Sequence, residues 1–326
     1  VHVETMTDTK LFCHRFSVVA GIIARTAATF NRIAGRSEIR ISLFPANGNT
    51  NRTGTLRRNN GYGVHSFYPL YFAPSSRTMR PHMLIICLLI FVALPLYTVL
   101  SGQAPQGRDF RTADRSSAGI APRAESTPEA VVQVYFARAL NWRGIFGVHT
   151  WIATKPANAT EYTVHQVIGW RIYRDLPAAF SAPGIPDARW FGNAPTLIAD
   201  LRGDAAAKAI PKITEAVANY PYANEYTLWP GPNSNTFVAF IGRAVPELRM
   251  DLPATAIGKD YPINGSMIDR APSGTGYQLS MLGVLGVTMA REEGFELNLL
   301  GFTFGIDFYK PALKLPFIGR LGMGEN

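Results

Sequence analysis

In the segment Trp229-Pro230-Gly231-Pro232-Asn233-Ser234-Asn235-Thr236-Phe237, a serine stands between two asparagines where a Pro/Gly-rich loop turns into a helix. After residue 101 the chain holds only two histidines, His149 and His165. A hydroxyl and two imidazoles are the parts of nucleophilic acyl transfer. In that chemistry His149 takes the Ser234 hydroxyl proton and His165 orients the imidazole, while Asn233 or Asn235, with N–H groups of the helix's first turn, meets the oxyanion. Trp151 is then a pocket wall. The same residues also have plainer uses. Asn233 or Ser234 at a helix start is what N-capping alone demands, worth about 1 kcal/mol. His149, amid Val148, Trp151 and Ile152, fits a core histidine bonded to a carbonyl, and His165 fits a solvated strand residue.

Strands and one helix have to position these groups. Ala130 to Ala137, Ile145 to Thr154 and Tyr162 to Ile172 are rich in β-branched and aromatic residues and predict an antiparallel meander, with a turn at Pro156-Ala157-Asn158-Ala159. A turn centred near residue 157 or 158 sets His149 and His165 opposite one another on one side of the sheet. Leu197 to Leu201 adds a short strand, and Asp204 starts a helix running towards Asn219, bent or restarted at Pro211. Apolar residues at Phe237, Val238, Phe240, Ile241 and Val245 have helical spacing, so Ser234 falls in the first turn of a helix over 234–248. Further on, Tyr277 to Ala290 and Phe295 to Tyr309 are glycine-interrupted apolar segments, read as the arms of a hairpin, with completion of the core favoured over packing on a partner or lying at the membrane surface. Ser273-Gly274-Thr275-Gly276 lacks the lysine of a phosphate loop and reads as a turn.

Gly147-Val148-His149-Thr150-Trp151-Ile152-Ala153, a second strand with His165, and then Asn233-Ser234-Asn235-Thr236-Phe237 resemble the circularly permuted papain-like group: NlpC-like, lecithin retinol acyltransferase-like and PPPDE domains. The resemblance covers roughly residues 130 to 248. It implies His149 as general base, His165 as its orienter, and Ser234 at the position of the nucleophilic cysteine. The hydroxyl is a departure with physical weight, because a thiol ionises readily beside an imidazole whereas a serine needs a well-aligned base. The run from Glu129 to Gly276-Tyr277-Gln278-Leu279 also resembles a bacterial domain family of unknown function with an N-terminal membrane segment.

Composition bounds the partners. The net charge of +9 sits almost wholly in residues 1–80, which hold eleven Lys/Arg against three Asp/Glu, so no basic groove for nucleic acid is expected in the folded part. Met83 to Leu100 runs about 18 residues without a charge, near the minimum for crossing a bilayer core. Arg77 and Arg80 precede it and favour a cytoplasmic N-terminus, which places the main domain on the extracytoplasmic side. A start at Met79 or Met83 would make this run a signal anchor, with residues 1–78 a misassigned or disordered extension. The only cysteines, Cys13 and Cys87, precede the main domain, so neither disulfides nor a thiolate metal site are expected there, and no cofactor is implied.

The sequence thus predicts a membrane-anchored α+β protein with an antiparallel sheet, helices and a permuted papain-like core. Its parts are a basic extension (1–78), a transmembrane helix (79–101), a linker (102–128), the α+β domain (129–250) and a Gly/Pro-rich extension with a hairpin (251–326). The expected function is acyl or amide hydrolysis or transfer on an acyl or peptide-like ligand at the bacterial membrane. The alternative is a non-catalytic binding or scaffolding domain.

Overall fold

A computed structural model describes residues 81–102, 109, 111–263 and 265–322, with side chains from residue 90 onwards. The expectations for 1–78, including the start site, lie outside the described residues. The helices are α1 (Pro81–Leu100), α2 (Arg143–Phe146), α3 (Gly203–Ala218) and α4 (Ser234–Ala244). The first sheet comprises β1 (Val131–Arg138), β2 (Val148–Lys155), β3 (Thr163–Val167), β4 (Ala179–Pro183) and β5 (Thr196–Arg202), and the second runs from β6 (Ile268–Arg270) to β12 (Gly319–Gly322).

β1 is buried on both faces because its side chains are apolar at both parities: Val132 and Val134 point one way, Val131 and Tyr135 the other. It is flanked by β2 and β5 in the order β4-β3-β2-β1-β5, every pairing antiparallel. On one face, Ala206, Ala209, Ile213 and Ala216 form a single helical stripe that lets α3 approach closely, and Phe237, Val238 and Ile241 seat α4 beside it. α3 runs through Pro211 without interruption. α4 ends at Ala244, and Pro246–Leu248 forms a short 3-10 turn in place of the helix end expected at 248.

The other face is covered by chain that the sequence presents as linker. Buried Asp187 accepts from Ser117 Oγ and from the backbone N–H groups of Ile120 and Ala121, while Tyr162 donates to Pro122 O, so this stretch lies over Tyr135, Trp151 and Val164. Lys155 is buried at the sheet's end with its Nζ donating to the carbonyls of Thr127, Glu129 and Pro156.

The expected C-terminal hairpin is instead a seven-stranded meander, with strands in sequence order from β6 to β12. Two of the glycine interruptions are turns, with Gly283 between β7 (Gly276–Met281) and β8 (Leu285–Ala290) and Leu300-Gly301 between β9 (Gly294–Leu299) and β10 (Phe302–Asp307), while Gly286 and Gly305 lie within strands. Leu300 and Gly301 both have positive φ, as a two-residue hairpin turn requires. β11 (Ala312–Leu315) follows β10.

Alternation in this sheet is inverted. Gln278, Ser280, Thr288, Glu296, Asn298, Thr303 and Lys314 are buried, whereas Tyr277, Leu279, Met281, Leu285, Val287, Met289 and Ile306 are exposed. The sheet therefore does not complete an apolar core, contrary to the reading of its segments as core hairpin arms. Its buried face is joined by ions and amides. Lys259 Nζ contacts Glu296, Lys314 Nζ meets Asp251 at 2.6 Å and Glu296 at 3.0 Å, and Arg320 reaches Asp307 at 2.8 Å. Asn298 donates to Asp260 at 2.8 Å, and Arg243 of α4 donates to Gln278 at 3.1 Å.

Candidate functional site

Ser234 opens α4 as expected, but the cap is Asn233. Its side-chain oxygen accepts from the N–H groups of Asn235 (2.9 Å) and Thr236 (3.3 Å), and Thr236 Oγ1 accepts the Asn233 N–H in return, a reciprocal capping box. The chain arrives there through cis peptide bonds at Trp229–Pro230 and Gly231–Pro232. Gly258 has positive φ and lies so close that a Cβ would stand 2.5 Å from the Asn233 amide nitrogen. The loop after α4 is thereby moulded onto the cap.

The asparagine amides are spent in the same way. Asn233 Nδ2 donates to the carbonyls of Leu228 and Ile257, and Asn235 Nδ2 to those of Val148 and Ile257. Thr150 Oγ1 stands 3.1 Å from both Ser234 O and Asn235 Oδ1, which ties the helix start to β2. The donors that would serve an oxyanion therefore hold α4 to its surroundings. Ser234 itself is buried, and among the described residues its hydroxyl has no hydrogen-bond partner.

Thr150 faces α4, so its neighbour His149 points through the opposite face of the sheet. There His149 lies flat on Trp190, with ring centroids 3.6 Å apart, and stacks on Trp151 at 5.7 Å. The stack continues to Tyr135 on one side and to exposed Trp170 on the other. One ring nitrogen, Nε2, lies 3.3 Å from Gln166 Oε1. Burial drives the imidazole down to about 3, with the Gln166 bond opposing, so it is neutral at neutral pH.

His165 is not opposite His149. The register pairs it with Ile152, and this puts it on the face that packs α4. Its Nε2 lies 2.9 Å from Thr154 Oγ1 and its Nδ1 2.7 Å from Ser181 Oγ, so both nitrogens are engaged, and burial lowers it to about 4. The offset arises because β2 and β3 pair about a point between Asn158 and Ala159, whereas a centre at 157 or 158 would keep both histidines on one face. The sequence brings Ser234, Asn233, Asn235 and Thr150 together, and Trp151 with His149, but these are two groups on two faces. Of the partners of His149, Trp190 reads from the sequence as a core or pocket wall, and Gln166 is not singled out there. Gln166 was within reach, since it has the opposite strand parity to His165. Among the described residues no group of three His, Cys, Asp or Glu could hold a metal ion.

An α+β domain with a five-stranded antiparallel sheet, two helices on one face and an aromatic stack on the other is the class that these elements define. Residues 129–261 match a family described as protein of unknown function (DUF3750), a segment that holds this sheet, α3 and α4 and stops short of β6. No curated protein and no solved structure matches the chain.

Proposed function

We propose that this chain is a membrane-attached, non-catalytic binding or scaffolding domain. One observation carries the reading: His149 is built into an aromatic stack on the sheet face opposite the helix that bears Ser234. A base on the far face cannot take the serine proton, and His165, on the near face, already has hydroxyl partners at both ring nitrogens. The permuted papain-like reading is supported by a helix start packed on the histidine strand, yet the roles of base, orienter and oxyanion donor have no occupant there. The aromatic stack, opening at exposed Trp170, is the surface that fits an acyl or peptide-like ligand without cutting it.

Attachment rests on α1, whose Pro81–Leu100 sequence carries no charge over 20 residues. Among the described residues no helix is long and apolar enough to cross a membrane, and the side chains of the first half of α1 lie outside them. Arg77 and Arg80 ahead of α1 favour the extracytoplasmic side for the sheets. Fluorophosphonate labelling of the wild type against Ser234→Ala and His149→Ala tests the non-catalytic reading. No serine-dependent label is expected, and a label lost in both variants would overturn it in favour of acyl or amide hydrolysis.

A further inference from the structure

The outer face of the seven-stranded sheet is apolar along whole rows of the register. One row reads Tyr277, Met289, Phe295, Ile306, Leu313 and Leu321, each paired to the next across the sheet. A second reads Ile268, Leu279, Val287, Leu297 and Phe304, and a third Met281, Leu285, Leu299 and Phe302. The one charged side chain in register with these rows is Arg270, at the β6 edge. Tyr277 is 70% exposed and Met289 67%. Water does not favour so continuous an apolar surface.

The two ends of the sheet differ. At one end the turns are Leu282-Gly283-Val284, Leu300-Gly301 and Pro316-Phe317-Ile318, without a charge. At the other they are the uncharged Ala271-Pro272-Ser273-Gly274-Thr275 and the charged Arg291-Glu292-Glu293 and Phe308-Tyr309-Lys310-Pro311, with the Arg291 guanidinium 5.7 Å from the Tyr309 ring. α1 docks at the apolar end: Phe91 packs edge-on to Phe302 and Phe317, and Thr98 Oγ1 donates to Phe317 O. The helix contributes its own exposed apolar side chains there, among them Val92, Leu96 and Leu100.

We infer that the outer face of the seven-stranded sheet is a lipid-contacting surface that lies on the bilayer α1 enters, an inference that rests on the membrane-attached reading. A helix in lipid whose middle touches Phe302 draws the apolar turns to the depth of the acyl chains. The charged turns, with Tyr309, Arg291 and Lys310, then sit at the headgroups, where aromatic and basic groups are favourable. The strands do not span the bilayer, because β6 and β12 are open edges whose backbone groups need water or headgroups. The sheet lies face down, tipped towards α1. Its inversion follows from this placement, since the polar face turns to the protein and the apolar face to lipid.

The test uses the full chain with Cys13→Ser and Cys87→Ser, single cysteines at chosen sites carrying an environment-sensitive fluorophore, and vesicles of phosphatidylethanolamine and phosphatidylglycerol with doxyl-labelled lipids. Probes at Leu279, Val287 and Leu300 are expected to be quenched several-fold more than one at Lys208 on α3. Deep doxyl groups should quench Leu300 more, and shallow ones Tyr309 more. Quenching at Leu96 without quenching at Val287 would leave the α1 attachment standing and overturn the lipid-facing sheet. Cross-linking between copies through Val287→Cys would also overturn it, naming a second copy as the occupant. No quenching even at Leu96 would remove the attachment itself.

Discussion

The two sheets of this protein are both antiparallel, yet they solve the burial problem in opposite ways. In the five-stranded sheet the inner strand β1 carries apolar side chains on both faces, with helices on one side and aromatic rings and the 111–128 segment on the other. The seven-stranded sheet alternates strictly and buries its polar set. Period-two alternation states that a strand has two unlike faces, and it does not state which face is inside. What decides is the partner: Arg243, Lys259 and Asp260, from α4 and the segment after it, meet the sheet with charges and fix its polar face inward.

The largest break in this contrast comes from cutting each interior at its centre. Lys259→Met strips Asp260 of its buried cation and leaves Glu296 with Lys314 alone, a loss of about 3 kcal/mol by the usual cost of breaking a buried pair. Phe237→Ala in the apolar core is expected to cost a similar amount, about 3–5 kcal/mol, for a different reason, namely a cavity. Denaturant unfolding of the detergent-solubilised chain separates the causes. Lys259→Met combined with Glu296→Leu and Lys314→Met should recover much of the first loss, since apolar groups can replace a buried ion network. A further loss in the triple variant would show that the charges hold the sheet's register.

Acid sharpens the comparison next. His149 and His165 in the first sheet are held by burial near 3 and 4, against 6.5 when unfolded. Below about pH 6.5 the unfolded chain takes up protons that the folded chain refuses, so stability falls as pH drops towards those values, by about 2 kcal/mol per histidine at pH 5. Glu293, on the polar side of the second sheet, is raised by burial to about 7 from 4.5. The folded chain keeps that proton after the unfolded chain has lost it, so its contribution falls as pH rises from 4.5 to 7. The two limbs oppose one another between pH 4.5 and 6.5. Unfolding midpoints across that range should drop less steeply with acid in His149→Gln and more steeply in Glu293→Gln than in the parent; parallel profiles for all three would remove the assignment.

Legibility in the sequence tracks the same divide. β1, β2 and the helix at Ser234 could be read because the strands are Val/Ile/Thr-rich runs and the helix is a 3.6 spacing that starts after a Pro-Gly-Pro-Asn breaker. The register of β2 against β3 could not, since it depends on how the chain from Pro156 to Tyr162 loops, and a shift that flips parity moves a histidine to the other face. β4 was missed, as Ala179-Phe180-Ser181-Ala182-Pro183 carries only one strongly β-prone side chain. In the second sheet Phe295-Glu296-Leu297-Asn298-Leu299 announced a strand, and the glycines announced turns, but placing Glu296 inside required the lysines that arrive from residues 259 and 314.

The smaller effects bear on the helix start that joins the two regions. Asn233→Ala removes two cap acceptances and two amide donations, and should cost about 2 kcal/mol. Ser234→Ala, one residue on, should change stability by less than about 0.5 kcal/mol, because the hydroxyl holds no partner while the backbone carbonyl that Thr150 uses is retained. The ratio of these two effects is informative. A cap residue costly to lose beside a serine that can be removed without consequence is what a structural helix start produces. If Ser234→Ala instead stabilised the fold markedly, the serine would be a strained group kept at the expense of stability, as active sites keep theirs, and the non-catalytic reading of this face would have to yield.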